Sequence, residues 1–301
     1  MSDVLTPPPR FWRYAFAYRG SATPQVLPGV LVFSGLAAVV VLLHERFPVV
    51  EVAVGPIEVS GAALALLLVL RTNAGYERWW EGRKLWGGIV NQSRNVVIGA
   101  LAYGPVEQSW REQVVRWSAA FPHVVRRSLR GQRDLPEVCE LLGQPTTREI
   151  AGAQHMPSFV ASRVAALLRR GRTRSPEDGL DGFAFENVDE QRALLVDHVG
   201  ACERILKTPL AFAYAVMIRR FIVIYLALVP FGLVDTVGWA TPFVTMFVSY
   251  PILALDYIGT ELQNPFSESS LSHLPLDEIC ASLQANLLAM LDVERGQTSH
   301  D

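Results

Sequence analysis

The chain carries only three cysteines, Cys139, Cys202 and Cys280, too far apart for the paired spacing of a zinc or redox centre. That excludes a disulfide framework and predicts reduced thiols on the cytosolic side of a membrane. Its six histidines show no HExxH or other metal-ligand spacing. Asp197-His198 reads as a helix-surface pair rather than half of a catalytic dyad. Phosphate loops, dinucleotide fingerprints and GxSxG elbows are missing too, so neither a cofactor nor a catalytic or metal site is expected, and an enzyme is disfavoured. Basic charge is not in excess: 27 Lys and Arg face 29 Asp and Glu, for a formal net charge of -2, and nucleic-acid binding has no support. No run alternates as a half-buried strand does, and no repeat or long linker divides the chain. The start, MSDVLTPPPRFWRYAFAYRGS, lacks the apolar core of a secretory signal and reads as a cytosolic terminus.

What the chain has is apolar bulk. Half of its residues are hydrophobic, 19% are charged and the mean hydropathy is +0.23, a balance that fits a membrane protein with a substantial water-exposed part. Four membrane helices are predicted, at about 24–43, 56–73, 215–235 and 238–256. The second and third have apolar centres shorter than the roughly 20 residues a span needs. The second extends through Thr72 and Asn73, the third through PLAFAYAVMI with Arg219 and Arg220 facing protein, water or headgroups. The remaining stretches, about 74–214 and 257–301, read as a helical cytosolic region, giving an all-α chain of one structural unit over 1–301. Arg10, Arg13 and Arg19 precede the first span, Arg71 to Lys84 follow the second, and Arg204, Lys207, Arg219 and Arg220 surround the start of the third. The positive-inside rule then places both termini in the cytoplasm of a multi-pass membrane protein. Arg169 to Arg174 read as a helix end and solvated loop.

One stretch refuses the usual division between span and loop. ALALLLVLRTNAGYERWWEGRKLWGG passes from apolar to charged with no proline or turn between. Treated as one helix over 62–95, it places Ala62, Leu66, Leu70, Asn73, Glu77, Glu81, Lys84, Gly88, Asn91 and Asn95 along one line, apolar down to Leu70 and polar beyond. The opposite face, with Leu64, Leu68, Gly75, Trp79, Gly82, Trp86, Ile89 and Val97, is apolar or small and suits helix packing. Two readings of the line stand at this point. It is a solvated flank of an amphipathic helix, or, with several copies around an axis, stacked apolar rings above a wet vestibule. Glu77 and Glu81, alike in charge and four apart, favour hydration in either case.

The blocks RTNAGYERWWEGRKLWGGIVNQSRN, GACERILKTPLAFAY, PFGLVDTVGWATPFVTMFVSY and LDYIGTELQNPF resemble the prokaryotic branch of the bestrophins. The resemblance is strong over about 66–98 and 196–290, moderate over 10–45 and weak through the middle. It implies a homopentameric ion channel with four membrane helices per subunit, a helical cytosolic portion, one central pore and small monovalent ions as permeants. The family's apolar neck maps to Ala62, Leu66 and Leu70, where larger and often aromatic side chains are usual. Asn73, Glu77, Glu81 and Lys84 then line the vestibule. A second constriction is implied near the cytosolic exit, around GLDGFAFENVDE, with no residue assigned. Animal members take calcium partly through acids after the Asn-Pro-Phe motif; here NPFSESSLSHLP has only Glu268, too few oxygens for a hard cation, although Glu261 and Asn264 lie near. Rings of Glu77 and Glu81 tilt selectivity slightly toward cations, Lys84 offsets them in part, and the family contains both anion and cation conductors. A membrane-anchored scaffold without conduction is the alternative, and a coupled transporter lacks its usual broken helices or repeated halves.

Overall fold

The computed structural model describes residues 11–18, 20–47, 54–172 and 179–298. Arg10, Arg19, much of the first outward connector and part of the loop before GLDGFAFENVDE lie outside these residues. Among the described residues there is no strand, only an isolated bridge between Arg172 and Leu180, and the chain is all-helical as its sequence pattern requires. The helices are α1 (Phe11–Ala15), α2 (Thr23–Arg46), α3 (Val54–Tyr103), α4 (Gln108–Leu129), α5 (Pro136–Leu142), α6 (Gln144–Gly152), α7 (Met156–Arg170), α8 (Gly182–Lys207), α9 (Phe212–Val237), α10 (Thr241–Glu261) and α11 (Leu276–Thr298).

Their ends follow local chemistry. Proline stands in the first turn of α2, α5, α6, α7 and α10, where its missing N–H has no helical acceptor to lose. Asp181 caps α8 by accepting from the Ala184 N–H at 2.8 Å, and His155 caps α7 by accepting from the Ser158 N–H at 3.1 Å. Gly238, at φ +52°, ends α9 in a conformation that a side chain would disfavour and starts the 3-10 turn leading into α10. Pro209 falls in the break between α8 and α9. α3 is longer than the 62–95 helix read from periodicity, because nothing interrupts the backbone before the Gly104-Pro105 pair.

Two compact units result: residues 1–78, 209–263 and 270–272, and residues 79–208, 264–269 and 273–301. The first holds the stretches long and apolar enough to cross a membrane, at 23–46, in the first part of α3, and in 212–261, where α9 and α10 follow one another. Within it Leu64 and Leu68 of α3 pack on Ile218, Ile222 and Leu226 of α9. Close approach elsewhere depends on small residues: a Cβ on Gly75 would lie 2.9 Å from the Gly259 carbonyl oxygen, so α3 and α10 meet backbone to backbone.

The second unit has one large core, in which Trp86, Ile89 and Val97 of α3 join Val114, Phe121 and Val125 of α4 and Leu283 and Leu287 of α11. Salt bridges from α4 and its C-cap residue stitch its edge. Arg126 reaches Glu137 and Asp277, Arg127 reaches Glu137 at 2.7 Å, and Arg130 reaches Asp277 at 2.8 Å. Burial by itself would raise the Glu137 carboxyl, but hydrogen bonds from Arg127 and Arg126 outweigh it and hold its pKa at about 2 rather than the ordinary 4.5. The folded state therefore releases this proton more readily than the unfolded one, and the stability gained is full above the unfolded value and lost as the pH falls toward the folded one. Glu137→Gln should lower the thermal midpoint of the detergent-solubilised chain at neutral pH and flatten the fall of that midpoint in acid. A midpoint whose acid dependence is the same in both proteins would show that this carboxylate carries none of it. Burial also pushes the Cys202 and Cys280 thiols up to about 12, which leaves them unreactive packing groups.

Candidate functional site

The first part of α3 sorts its leucines sharply. Leu64 and Leu68 are 0% and 1% exposed, held against α9, while Leu66 and Leu70 are 61% and 52% exposed. Ala62 is exposed with them, so the residues spaced four apart form a stripe with a rise of about 6 Å between neighbours. Asn73 and Glu77 continue on the exposed side. That side is wider than one line, since Ala63, Ala65 and Val69 are exposed as well. A helix buried on one side and open on the other needs a partner from outside its own chain, whether lipid, water or another subunit.

Immediately after Leu70, Arg71 turns the other way. Its side chain is only 2% exposed and forms an ion pair with Asp256 of α10 while donating to Thr260 Oγ1 at 2.9 Å. Arg219 of α9 shares the same aspartate at 3.3 Å. Read from sequence, Arg71 is one of the charges marking the cytosolic side; in the structure it ties the end of the apolar stripe to α10, whose Asp256 also holds Arg219 of α9. Only a folded contact 185 positions away in the chain could have revealed this, and periodicity carries no such signal.

In the second unit the remaining vestibule candidates divide. Lys84, Asn91 and Asn95 are exposed, whereas Glu81 is half-buried and paired with Arg204 of α8 at 2.9 Å. Arg204 is thus a neighbour that the sequence reading missed, and it offsets much of the charge expected from Glu81. Gly88 is half-buried beneath the His198 ring, in a space a Cβ would fill, so His198 is a packing residue. Asn95 donates to Gln191 Oε1 at 3.0 Å. Phe183, in the stretch where a second constriction was implied, stands 86% exposed in the first turn of α8.

The acids near the Asn-Pro-Phe turn have protein partners. Glu268 binds Arg130, and Asn264 accepts from the Phe266 N–H at 3.2 Å. In the other unit, Glu261 accepts from the Leu271 N–H at 2.7 Å. A calcium ion at Glu268 would have to displace a guanidinium from the side chain it needs. Among the described residues no group of three or more His, Cys, Asp or Glu is placed to hold a metal ion.

Comparison with known proteins agrees with this architecture over nearly the whole chain. A voltage-dependent anion channel-forming protein of Synechocystis is 32% identical over 284 residues, covering 93% of this chain and 91% of that one. A protein of the same description from Ralstonia nicotianae is 34% identical, covering 87% and 86%. The crystal structure of a bacterial bestrophin homolog from Klebsiella pneumoniae superposes with a TM-score of 0.81 at 26% identity, over 89% of this chain and 98% of the other. The family described as Bacterial/Fungal Bestrophin protein matches residues 3–289, and the chain, a helical membrane protein, belongs to that family.

Proposed function

We propose that residues 1–301 act as one unit, five copies of which surround a central pore that passively conducts small monovalent ions across the bacterial inner membrane. Four helices per subunit cross the bilayer: α2, the first part of α3, α9 and α10. Both termini lie in the cytoplasm. Ala62, Leu66 and Leu70 form the neck, and Asn73, Glu77, Glu81 and Lys84 line the vestibule below. The observation that supports this reading most is the exposure of Leu66 and Leu70 beside buried Leu64 and Leu68 on a helix that continues unbroken into polar sequence. An apolar constriction controls ions through its width and hydration, because it strips water without supplying replacement ligands. A membrane-anchored scaffold would need no such stripe. Planar-bilayer recording under a KCl gradient separates the two, since a scaffold passes no current.

The sign of the carrier rests on opposed features. Glu77 is exposed and favours cations; the relatives are named as anion channel-forming proteins, and Arg204 neutralises part of Glu81. We keep the tilt toward cations and assign it chiefly to Glu77. The double change Glu77→Gln with Glu81→Gln should move the reversal potential toward that of chloride, with most of the movement present in Glu77→Gln alone. An unchanged reversal potential would remove both residues from selectivity, and a wild-type reversal potential already at the chloride value would make the pore an anion conductor.

A further inference from the structure

Arg219 and Arg220 are adjacent in α9 but differ in circumstance. Arg219 is held by Asp256, and that carboxylate is already shared with buried Arg71, so it has no further charge to offer. Arg220 is exposed and has no hydrogen-bonding or ionic partner among the described residues. It sits in the middle of an apolar groove of about 530 Å³ formed by Phe212, Val216, Met217, Phe221 and Ile224 on the same helix. A second groove of about 380 Å³ adjoins it, sharing Val216, Arg220 and Ile224 and bounded also by Val223 and by Arg219, so Arg220 lines both apolar troughs and is the guanidinium there without a counter-charge.

We infer that this face binds the phosphate of an anionic phospholipid, with Arg220 on the headgroup and the acyl chains in the two grooves. The inference rests on α9 being a membrane span, as proposed above. Charge and shape both favour this occupant. An unpaired guanidinium on a helix that enters a bilayer needs a counter-charge, and phosphate oxygens match its planar fork in two parallel hydrogen bonds. Arg220 is about 12 Å along α9 from Phe212, within the first turns of the helix, where an arginine stem reaches the headgroup level. On the proposed orientation that end faces the cytoplasmic leaflet, whose anionic lipids attract basic side chains next to a span. Two adjoining apolar troughs that both reach Arg220 match a lipid with two tails.

Native mass spectrometry of the full chain, released from detergent after incubation with phosphatidylglycerol or phosphatidylcholine, reads lipid retention and oligomer mass together and involves no ion flux. Wild type should retain phosphatidylglycerol preferentially. Arg220→Gln should cut that preference about tenfold while the oligomer mass stays the same, and Arg220→Lys should restore much of it. Inorganic phosphate, lacking tails, should not displace the lipid. Equal retention of the two lipids by wild type, or an undiminished preference in Arg220→Gln, overturns the assignment. So does a smaller oligomer in Arg220→Gln with lipid preference intact, because a second copy of the chain would then be covering the groove. Absence of conduction with this lipid pattern preserved would defeat the channel reading and leave the lipid site standing.

Discussion

Leu70→Ala is expected to raise the leak current several-fold at zero applied stimulus, with little change in thermal stability. The stripe of which Leu70 is the last member is exposed within the subunit, so shortening its side chain opens no internal cavity. If the proposed ring of subunits forms, the same change removes bulk from every side of one apolar level at once, and a wider neck hydrates more readily. Ala62 is already small, so in the proposed neck the barrier would fall chiefly on Leu66 and Leu70. Leu68→Ala supplies the contrast. That side chain is 1% exposed and packed on α9, so truncation should cost about 2 kcal/mol, the low end for a buried leucine because lipid competes less poorly than water for the exposed surface. Two leucines two positions apart thus predict opposite phenotypes, leak without destabilisation and destabilisation without a specific leak. Unaltered conductance and open probability in Leu70→Ala would mean that the stripe faces lipid or a neighbouring subunit instead of ions.

The fold class was legible because a helix advertises itself locally. Leu64, Leu68, Gly75, Gly82, Trp86, Ile89 and Val97 fall on the closed side of α3 in the structure, the side that their spacing assigns to packing, and Leu66 and Leu70 fall on the open side. The break at Gly104-Pro105 was legible for the same reason, since backbone chemistry there acts over a few residues. Long-range charge pairing was not. Glu81 reads as a free carboxylate beside Lys84 until α8 brings Arg204 against it, and Arg71 reads as a cytosolic marker until α10 supplies Asp256. Glu268 reads as a lone acid of a depleted metal site until Arg130 claims it. In each case the partner lies more than 100 positions away, and helical periodicity describes which way a side chain points without saying what meets it. The same limit applies to Arg220, whose difference from Arg219 depends wholly on which of the two reaches Asp256.

Asp256→Ala should be the most destabilising single change in the first unit. Asp256 is the carboxylate that meets Arg71, a side chain 2% exposed, and it also holds Arg219. Removing it leaves a buried guanidinium with only Thr260 Oγ1 for company, and an uncompensated buried charge costs about 3 to 5 kcal/mol. The cost arises from stranding the charge rather than from any large net worth of the pair, so removing both partners should be far milder. Arg71→Met combined with Asp256→Ala should therefore recover most of the lost stability, although each change alone is harmful. Thermal unfolding of the detergent-solubilised protein, followed by survival of its size-exclusion peak, measures the three variants against wild type. Because Arg71 follows Leu70 directly, the double variant should hold the helix together yet loosen the end of the apolar stripe, and its leak should exceed that of wild type even as its midpoint returns. If Asp256→Ala melts where wild type does, Arg71 finds another counter-charge, and the claim that this aspartate anchors the lower end of the stripe fails.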